Sequence, residues 1–248
     1  MLQINDKLLS GIAMFSFISL NLHANEELSM SRYHHTNEAT MVKMLSKSNK
    51  SFELEKFLKS GGALVKQTEP KTKVWFALKE KEQSFMIFDA FYDSTGREAH
   101  FAGQVAAALK NNAAELVQGG WKGGILQNIT NSKVLSSKIP ETTIPVSIAS
   151  YIVFQSREGQ SEQLAALLAK AAEMVDRTEP KTVYWFALQI NQNTFAIFDA
   201  FADESGRNDH FSGMVAAILK DNSEAMIKNG WEKGVVSNIH NLEVITNI

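Results

Sequence analysis

The chain contains no cysteine. A disulfide framework, a thiolate nucleophile and cysteine-ligated zinc are excluded at once. It also lacks an excess of positive charge: 25 lysines and arginines against 27 aspartates and glutamates leave a formal net charge of −2. No basic surface advertises a nucleic-acid partner. Histidine is scarce, and its six copies, at 23, 34, 35, 100, 210 and 240, set no repeated metal-ligand spacing. No metal site is expected. Proline occurs only four times, at 70, 140, 145 and 180. The apolar run Leu8–Leu20 is shorter than the roughly 20 residues of a helical membrane span.

What remains is the composition of a globular protein, 44 % apolar and 21 % charged. The N-terminus reads as an export signal over residues 1–24. Lys7 precedes the apolar run, and Leu22-His23-Ala24 forms an acceptable cleavage site. The mature chain is then expected in the periplasm or outside the cell, with no stable membrane insertion after cleavage; the alternative is an uncleaved anchor. Residues 25–35 are polar and read as a flexible lead-in.

The dominant feature is a duplication. Thr68–Lys110 (TEPKTKVWFALKEKEQSFMIFDAFYDSTGREAHFAGQVAAALK) returns as Thr178–Lys220 (TEPKTVYWFALQINQNTFAIFDAFADESGRNDHFSGMVAAILK). The alignment runs without a gap from Met41/Tyr151 to the C-terminus, with about 40 % of positions identical. The chain divides into a first unit over 36–135, a linker over 136–143 (within the proline-bearing stretch Ser136–Pro145) and a second unit over 144–248.

Each unit carries one pattern. In the second, Ile144–Phe154 reads as a strand, and Ser161 as the N-cap of a helix with Leu164, Leu167, Leu168, Ala171 and Met174 at helical spacing. The first unit follows, with Gly61-Gly62 weakening the same helix. Glu179-Pro180 halts it. Val183–Ile190 and Thr194–Ala202 form a hairpin, a helix opens at Asp203 and runs to about Lys220, and Asn222–Asn229 adds a turn closed by Gly230. A strand over Val235–Ile245 ends the unit. The fold class is α+β: two ferredoxin-like βαββαβ units. Each leaves one sheet face bare, so the two are expected to close into one intramolecular dimeric α+β barrel, helices outside.

Within the repeated block, Phe85, Ile87, Asp89 and Phe91 share a strand face, as do Phe195, Ile197, Asp199 and Phe201. An aspartate on an apolar face must be neutral, paired or beside a wet cavity. It is either a site acid or base, or a structural partner of Arg97/Arg207 or of backbone donors. Arg97 and His100, like Arg207 and His210, stand i,i+3 on one helix. Each histidine either accepts a proton near neutral pH or is a half-exposed helix residue that packs on Phe101 or Phe211 or caps a carbonyl. Trp75 and Trp185 alternate with Phe76 and Phe186, so only one set faces the opposed sheet. Trp121 and Trp231 read as plugs at the end of the core. Met86 with Ala108, against Ala196 with Ile218, reads as a volume-conserving exchange between touching positions.

The run E-P-K-T-x-x-W-F-A-L followed by F-x-I-F-D-A-F-x-D-x-x-G-R-x-x-H-F-x-G-x-V-A-A-x-L resembles the antibiotic biosynthesis monooxygenase domain family, nearest its quinol monooxygenase-like branch. The resemblance implies a dimeric α+β barrel, here fused in one chain. It further implies a pocket between sheet and helices for a polycyclic or quinol-type aromatic, oxidised by O₂ without flavin, haem or metal. On that reading His100 and His210 are bases, Asp89 and Asp199 orient them, and Arg97 and Arg207 hold an oxyanion. Trp75, Trp185, Phe91, Phe201, Phe101 and Phe211 wall the pocket. Two other readings stand beside it. One is a non-catalytic periplasmic module that binds a hydrophobic small molecule. The other is a haem-degrading protein, disfavoured because Phe91 and Phe201 stand where those relatives carry tryptophan. Further homo-oligomerisation of the fused pair is left open.

Overall fold

Apolar side chains fill consecutive positions of the hairpin strands, as in Phe85–Phe88 and Phe195–Phe198, so these strands present two apolar faces and both need cover. The computed structural model, which describes residues 36–248, shows how each is covered. The first unit comprises β1 (Glu38–Leu45), α1 (Ser51–Thr68), β2 (Thr72–Lys81), β3 (Ser84–Phe91), α2 (Ser94–Phe101), α3 (Gln104–Leu116) and β4 (Ile129–Lys138). The second repeats it as β5 (Ile148–Gln155), α4 (Ser161–Thr178), β6 (Thr182–Asn191), β7 (Thr194–Phe201), α5 (Glu204–Phe211), α6 (Met214–Met226), α7 (Gly230–Gly234) and β8 (Ile239–Asn247). The export signal and the lead-in lie outside the described residues. Among those described, no helix is long and apolar enough to cross a membrane.

The eight strands form one closed antiparallel barrel in the order β1-β3-β2-β8-β5-β7-β6-β4. Each unit supplies the ferredoxin-like order 4-1-3-2, and the fourth strand of one unit pairs with the second strand of the other. Both seams have equivalent registers: Lys79 opposes Glu243 and Leu78 opposes Val244, while Gln189 opposes Lys133 and Leu188 opposes Val134. Both also carry a bulge at the same place, Ala77/Leu78 and Val134/Ser136. A bulge in each seam increases local twist, which helps a sheet close.

Inside the barrel the face holding Phe76, Phe88, Phe186 and Phe198 is fully buried. Phe88 and Phe198 stack at 4.0 Å between ring centroids, and Phe76 and Phe186 meet this pair edge-on at 5.1 Å each. Each buried ring contributes about 1.5–3 kcal/mol of transfer free energy, with tilted and offset pairs adding about 0.5–1.5 kcal/mol. The outer face carries Trp75, Phe85 and Ile87, or Trp185, Phe195 and Ile197, beneath the helices. Trp75 and Trp185 therefore face the helices, and Phe76 and Phe186 the opposed sheet.

Several sequence-based expectations change. The helix expected from Asp203 to Lys220 is two helices, broken at Ser212-Gly213, and Asn222 lies inside the second. Gly230 starts a helical turn instead of ending one. Ser161 is the first helical residue, and its hydroxyl donates to the Gln192 carbonyl instead of capping the helix. The stretch read as a linker begins as strand, since β4 continues through Lys138. Met86 and Ala196 point into the barrel, whereas Ala108 and Ile218 lie on the outer helices. The sheet separates them, so the proposed exchange is not a packing pair. Gly61-Gly62 does not interrupt α1; a Cβ on Gly61 would sit 3.4 Å from the Trp75 ring. A Cβ on Gly62 would sit 3.0 Å from Thr246, a residue of the other unit.

That contact yields a test of the seam. Gly62→Leu is expected to lower stability by about 1–3 kcal/mol through overpacking, despite leucine's better helix propensity. Ser60→Leu, exposed on the same helix, should be near neutral. Urea unfolding midpoints of both variants check the difference.

Candidate active site

Each unit buries one histidine between two carboxylates, delivered by three different elements. His100 sits in the last turn of α2, Asp89 on β3 and Glu69 immediately after α1. The His100 Nδ1–H donates to Glu69 Oε2 at 2.5 Å, and Nε2 lies 3.4 Å from Asp89 Oδ2. In the second unit His210 Nδ1–H donates to Glu179, and Nε2 lies 3.4 Å from Asp199 Oδ2. All six side chains are buried.

Local sequence fixes this geometry. Asp93 and Asp203 accept hydrogen bonds from Gly96 N and Gly206 N at 2.9 and 3.0 Å, capping α2 and α5. This places the histidine on the inward side of each short helix. The second oxygen of Glu69 accepts from Val105 N at 3.2 Å, and that of Glu179 from Val215 N at 3.3 Å, at the starts of α3 and α6. A negative carboxylate at a helix N-terminus is favourable. Room for it depends on Gly103 and Gly213: a Cβ there would come within 2.5 and 2.6 Å of the glutamate Oε1. The intruding carboxylate is the physical reason that one expected helix is two.

Burial disfavours a charged imidazole, but Asp89 and Glu69 outweigh it and push the His100 pKa up to about 9. His210 is likewise raised to about 9, burial being overcome by Asp199 and Glu179. The same direction in both units favours the imidazolium form of each ring near neutral pH. The Asp89 carboxyl is itself raised, because burial outweighs the neighbouring His100. Across the sheet Asp89 is flanked in register by Thr40 and Trp75. Asp89 Oδ1 and Trp75 Nε1 have no protein partner, and neither do Asp199 Oδ1 and Trp185 Nε1.

Beside each histidine, between the sheet and the helices, lies an apolar cavity. In the second unit it measures about 290 Å³, with Trp185, His210, Phe211, Val215, Leu219 and Trp231 in its wall. In the first it shrinks to about 30 Å³, walled by residues including Phe57, Trp75, Asp89, His100, Phe101 and Trp121.

The structure thus brings His100, Asp89, Trp75 and Phe101 together at one cavity. In the second unit His210, Trp185 and Phe211 line the cavity, with Asp199 behind the imidazole. Four expected members are elsewhere. Arg97 pairs with Glu38 and Arg207 with Glu204, and neither lines the cavity. Phe91 and Phe201 pack on the histidine rings at 5.5 and 5.6 Å but form no cavity wall. Nor does Asp89 pair with Arg97; its partner is His100. Sequence reasoning missed Glu69 and Glu179, taken only as helix stops, although T-E-P-K is identical in both units. It also assigned Trp121 and Trp231 to core plugging, whereas each lines a cavity. Their signal was the repeated Gly-Trp before the last strand.

No family model and no curated protein matches the chain. Solved structures do match. A Fusobacterium nucleatum protein provisionally described as a monooxygenase superposes with a TM-score of 0.72 at 15 % identity, covering 86 % of this chain and 94 % of that one. A Lactobacillus acidophilus protein with the same description gives 0.69 at 11 % identity, covering 86 % and 95 %. An anthrone oxidase-like protein gives 0.53 at 8 % identity, covering 87 % and 94 %. At such identities the likeness is one of fold. The chain has the barrel architecture of these monooxygenase-like proteins.

The histidine pKa values carry a stability consequence. A folded-state pKa of about 9 above the ordinary 6.5 contributes stability that is complete below pH 6.5 and lost as pH rises through 9. The loss is expected to reach about 3 kcal/mol per histidine at most. Urea titrations at steps between pH 6 and 10 check it. A Glu69→Gln/Glu179→Gln double variant should show a flatter profile.

Proposed function

We propose that the protein is an oxygenase that oxidises a quinol or polycyclic phenol with O₂ in the cavity of the second unit, without a bound redox cofactor. The observation that carries this reading is the cavity itself. It is an apolar, tryptophan-lined space of about 290 Å³ at whose wall stands a buried histidine held as imidazolium. Beside it Trp185 Nε1 is a buried donor, and Asp199 Oδ1 a buried acceptor, without protein partners. Buried orphan polar groups are costly unless something pairs with them. A flat aromatic carrying a hydroxyl would supply both apolar contact and a hydrogen-bonding oxygen. The fold is shared with monooxygenase-like proteins, one of them named for likeness to an anthrone oxidase.

The residues divide the work as their charges dictate. A phenol of pKa near 10 needs a base; Asp199 has free acceptor capacity but stands behind the His210 ring and not in the cavity wall, so the proton passes to it through one intervening water. The imidazolium of His210 stabilises the phenolate that forms, the role first given to Arg207. Glu179 holds the ring in place through Nδ1. The phenolate passes one electron to O₂, and the resulting pair combines to a hydroperoxide at a ring carbon. Loss of water leaves a quinone. One oxygen atom enters the ring, the other departs as water, and the ring C–H and O–H supply the two hydrogens.

A second reading is favoured by one specific observation. A charged imidazole in an apolar wall also suits simple retention of an anionic aromatic, without turnover. An oxygen electrode separates the two. With 1,4-naphthohydroquinone at neutral pH, protein-dependent uptake is expected, falling about 10²-fold or more in Asp199→Asn and in His210→Gln. Uptake equal to the buffer rate, with binding retained, establishes the retention reading. Uptake that persists in the Asp199→Asn/His210→Gln double variant removes the site assignment.

A further inference from the structure

The two cavities descend from one ancestral unit, yet they differ about ten-fold in volume, 30 against 290 Å³. Wall residues correspond at the 110-residue offset: Trp75 with Trp185, His100 with His210, Phe101 with Phe211 and Trp121 with Trp231. The histidine and its two carboxylates are also intact in both. What differs is part of the wall: the first cavity also touches Phe57, Leu58, Gly61 and Asp89, the second Val236 and Ile239 instead. Phe57 reaches the wall of the first cavity. Its counterpart Leu167 does not reach the second, and lines a separate groove with Ala171, Met174 and Ile218. Below Trp121 the chain also changes shape: Gly120–Ile125 winds with wide, π-type turns, whereas Gly230–Gly234 is an ordinary α-turn.

We propose that the halves have separated in function: the second unit holds the ligand, and the first is a closed copy in which Phe57 occupies the ligand's place. One flat aromatic alcohol binds per chain, with its ring system against Trp185 and Trp231 and its oxygen toward His210. The first unit keeps its Glu69–His100–Asp89 set as a structural element, since removing one member of a buried charged set leaves the others unpaired. A space of 30 Å³ holds about one water molecule; no aromatic ring enters it without displacing Phe57. The nature of the ligand rests on the functional reading above. The one-sidedness rests on the cavities alone.

The tryptophans provide the test, because the chain has four and each cavity uses two. The full chain is labelled with 5-fluorotryptophan, its four ¹⁹F resonances are assigned with single Trp→Phe variants, and 2-naphthol is titrated in without oxygen. The Trp185 and Trp231 resonances are expected to shift while those of Trp75 and Trp121 stay, with calorimetry giving one site per chain. In Phe57→Ala all four should move and the stoichiometry should rise to two; Phe57→Leu serves if the alanine variant does not fold. Movement of the Trp75 and Trp121 resonances in the unmodified chain, two sites per chain, or no binding at millimolar 2-naphthol overturns the proposal. One-sided binding without oxygen uptake from a hydroquinone leaves the separation standing and removes only the oxidation chemistry. Two-sided binding with uptake does the reverse.

Discussion

A four-stranded sheet with apolar residues on both faces cannot be covered by its own helices, which reach one face only. That constraint governs this protein. The uncovered faces of the two units close on each other, and the stacked pair Phe88 and Phe198, one ring from each unit, lies where they meet. A barrel of this kind built from two separate chains would have to find its partner at finite concentration. Here the halves are joined through the short segment after Lys138, so association becomes intramolecular and independent of concentration. With the barrel interior filled by aromatic rings, the two histidine-lined cavities lie outside it, beneath the helices. The same packing that holds the units together therefore decides where a site can be.

Beneath the helices the problem is electrostatic. Three ionisable side chains per unit are buried among apolar neighbours, which is tolerable only because they answer one another. Glu69 and Glu179 are bonded on both oxygens, one to the histidine and one to a helix N-terminus. They tie the end of one helix, the start of another and the imidazole into a single arrangement. The aspartates are less fully bonded, each with an oxygen lacking a protein partner. The glutamate is thereby fixed in place, while the aspartate keeps an acceptor oxygen free. That inequality distinguishes two carboxylates within 4 Å of one ring.

Much of this could be read from the residues. Strand alternation placed Asp89 on one face with Phe85 and Ile87, and Asp199 with Phe195 and Ile197, and the duplication implied the closed barrel. The i,i+3 spacing put arginine and histidine on one helix. What misled was proximity in sequence. Arg97 is three residues from His100, but the cap at Asp93 sets the helix so that the histidine turns inward and the arginine stays at the rim with Glu38. Phe91 closes the strand beside Asp89, yet it turns under α2 and packs on the histidine without reaching the cavity. Glu69, 31 residues from His100, looked like a helix terminator because the proline after it explains the stop without assigning the carboxylate a partner.

The amino-acid order by itself determined the two-unit organisation, the βαββαβ pattern and the candidate histidines and aspartates, because periodicity and repetition are local or copied features. The protonation of those histidines, the break that Glu179 forces at Gly213 and the unequal size of two cavities with nearly the same wall were decided only in three dimensions. A pKa depends on how many charges converge after burial, and a void depends on which side chain the packing turns into it. Neither quantity is carried by any segment alone.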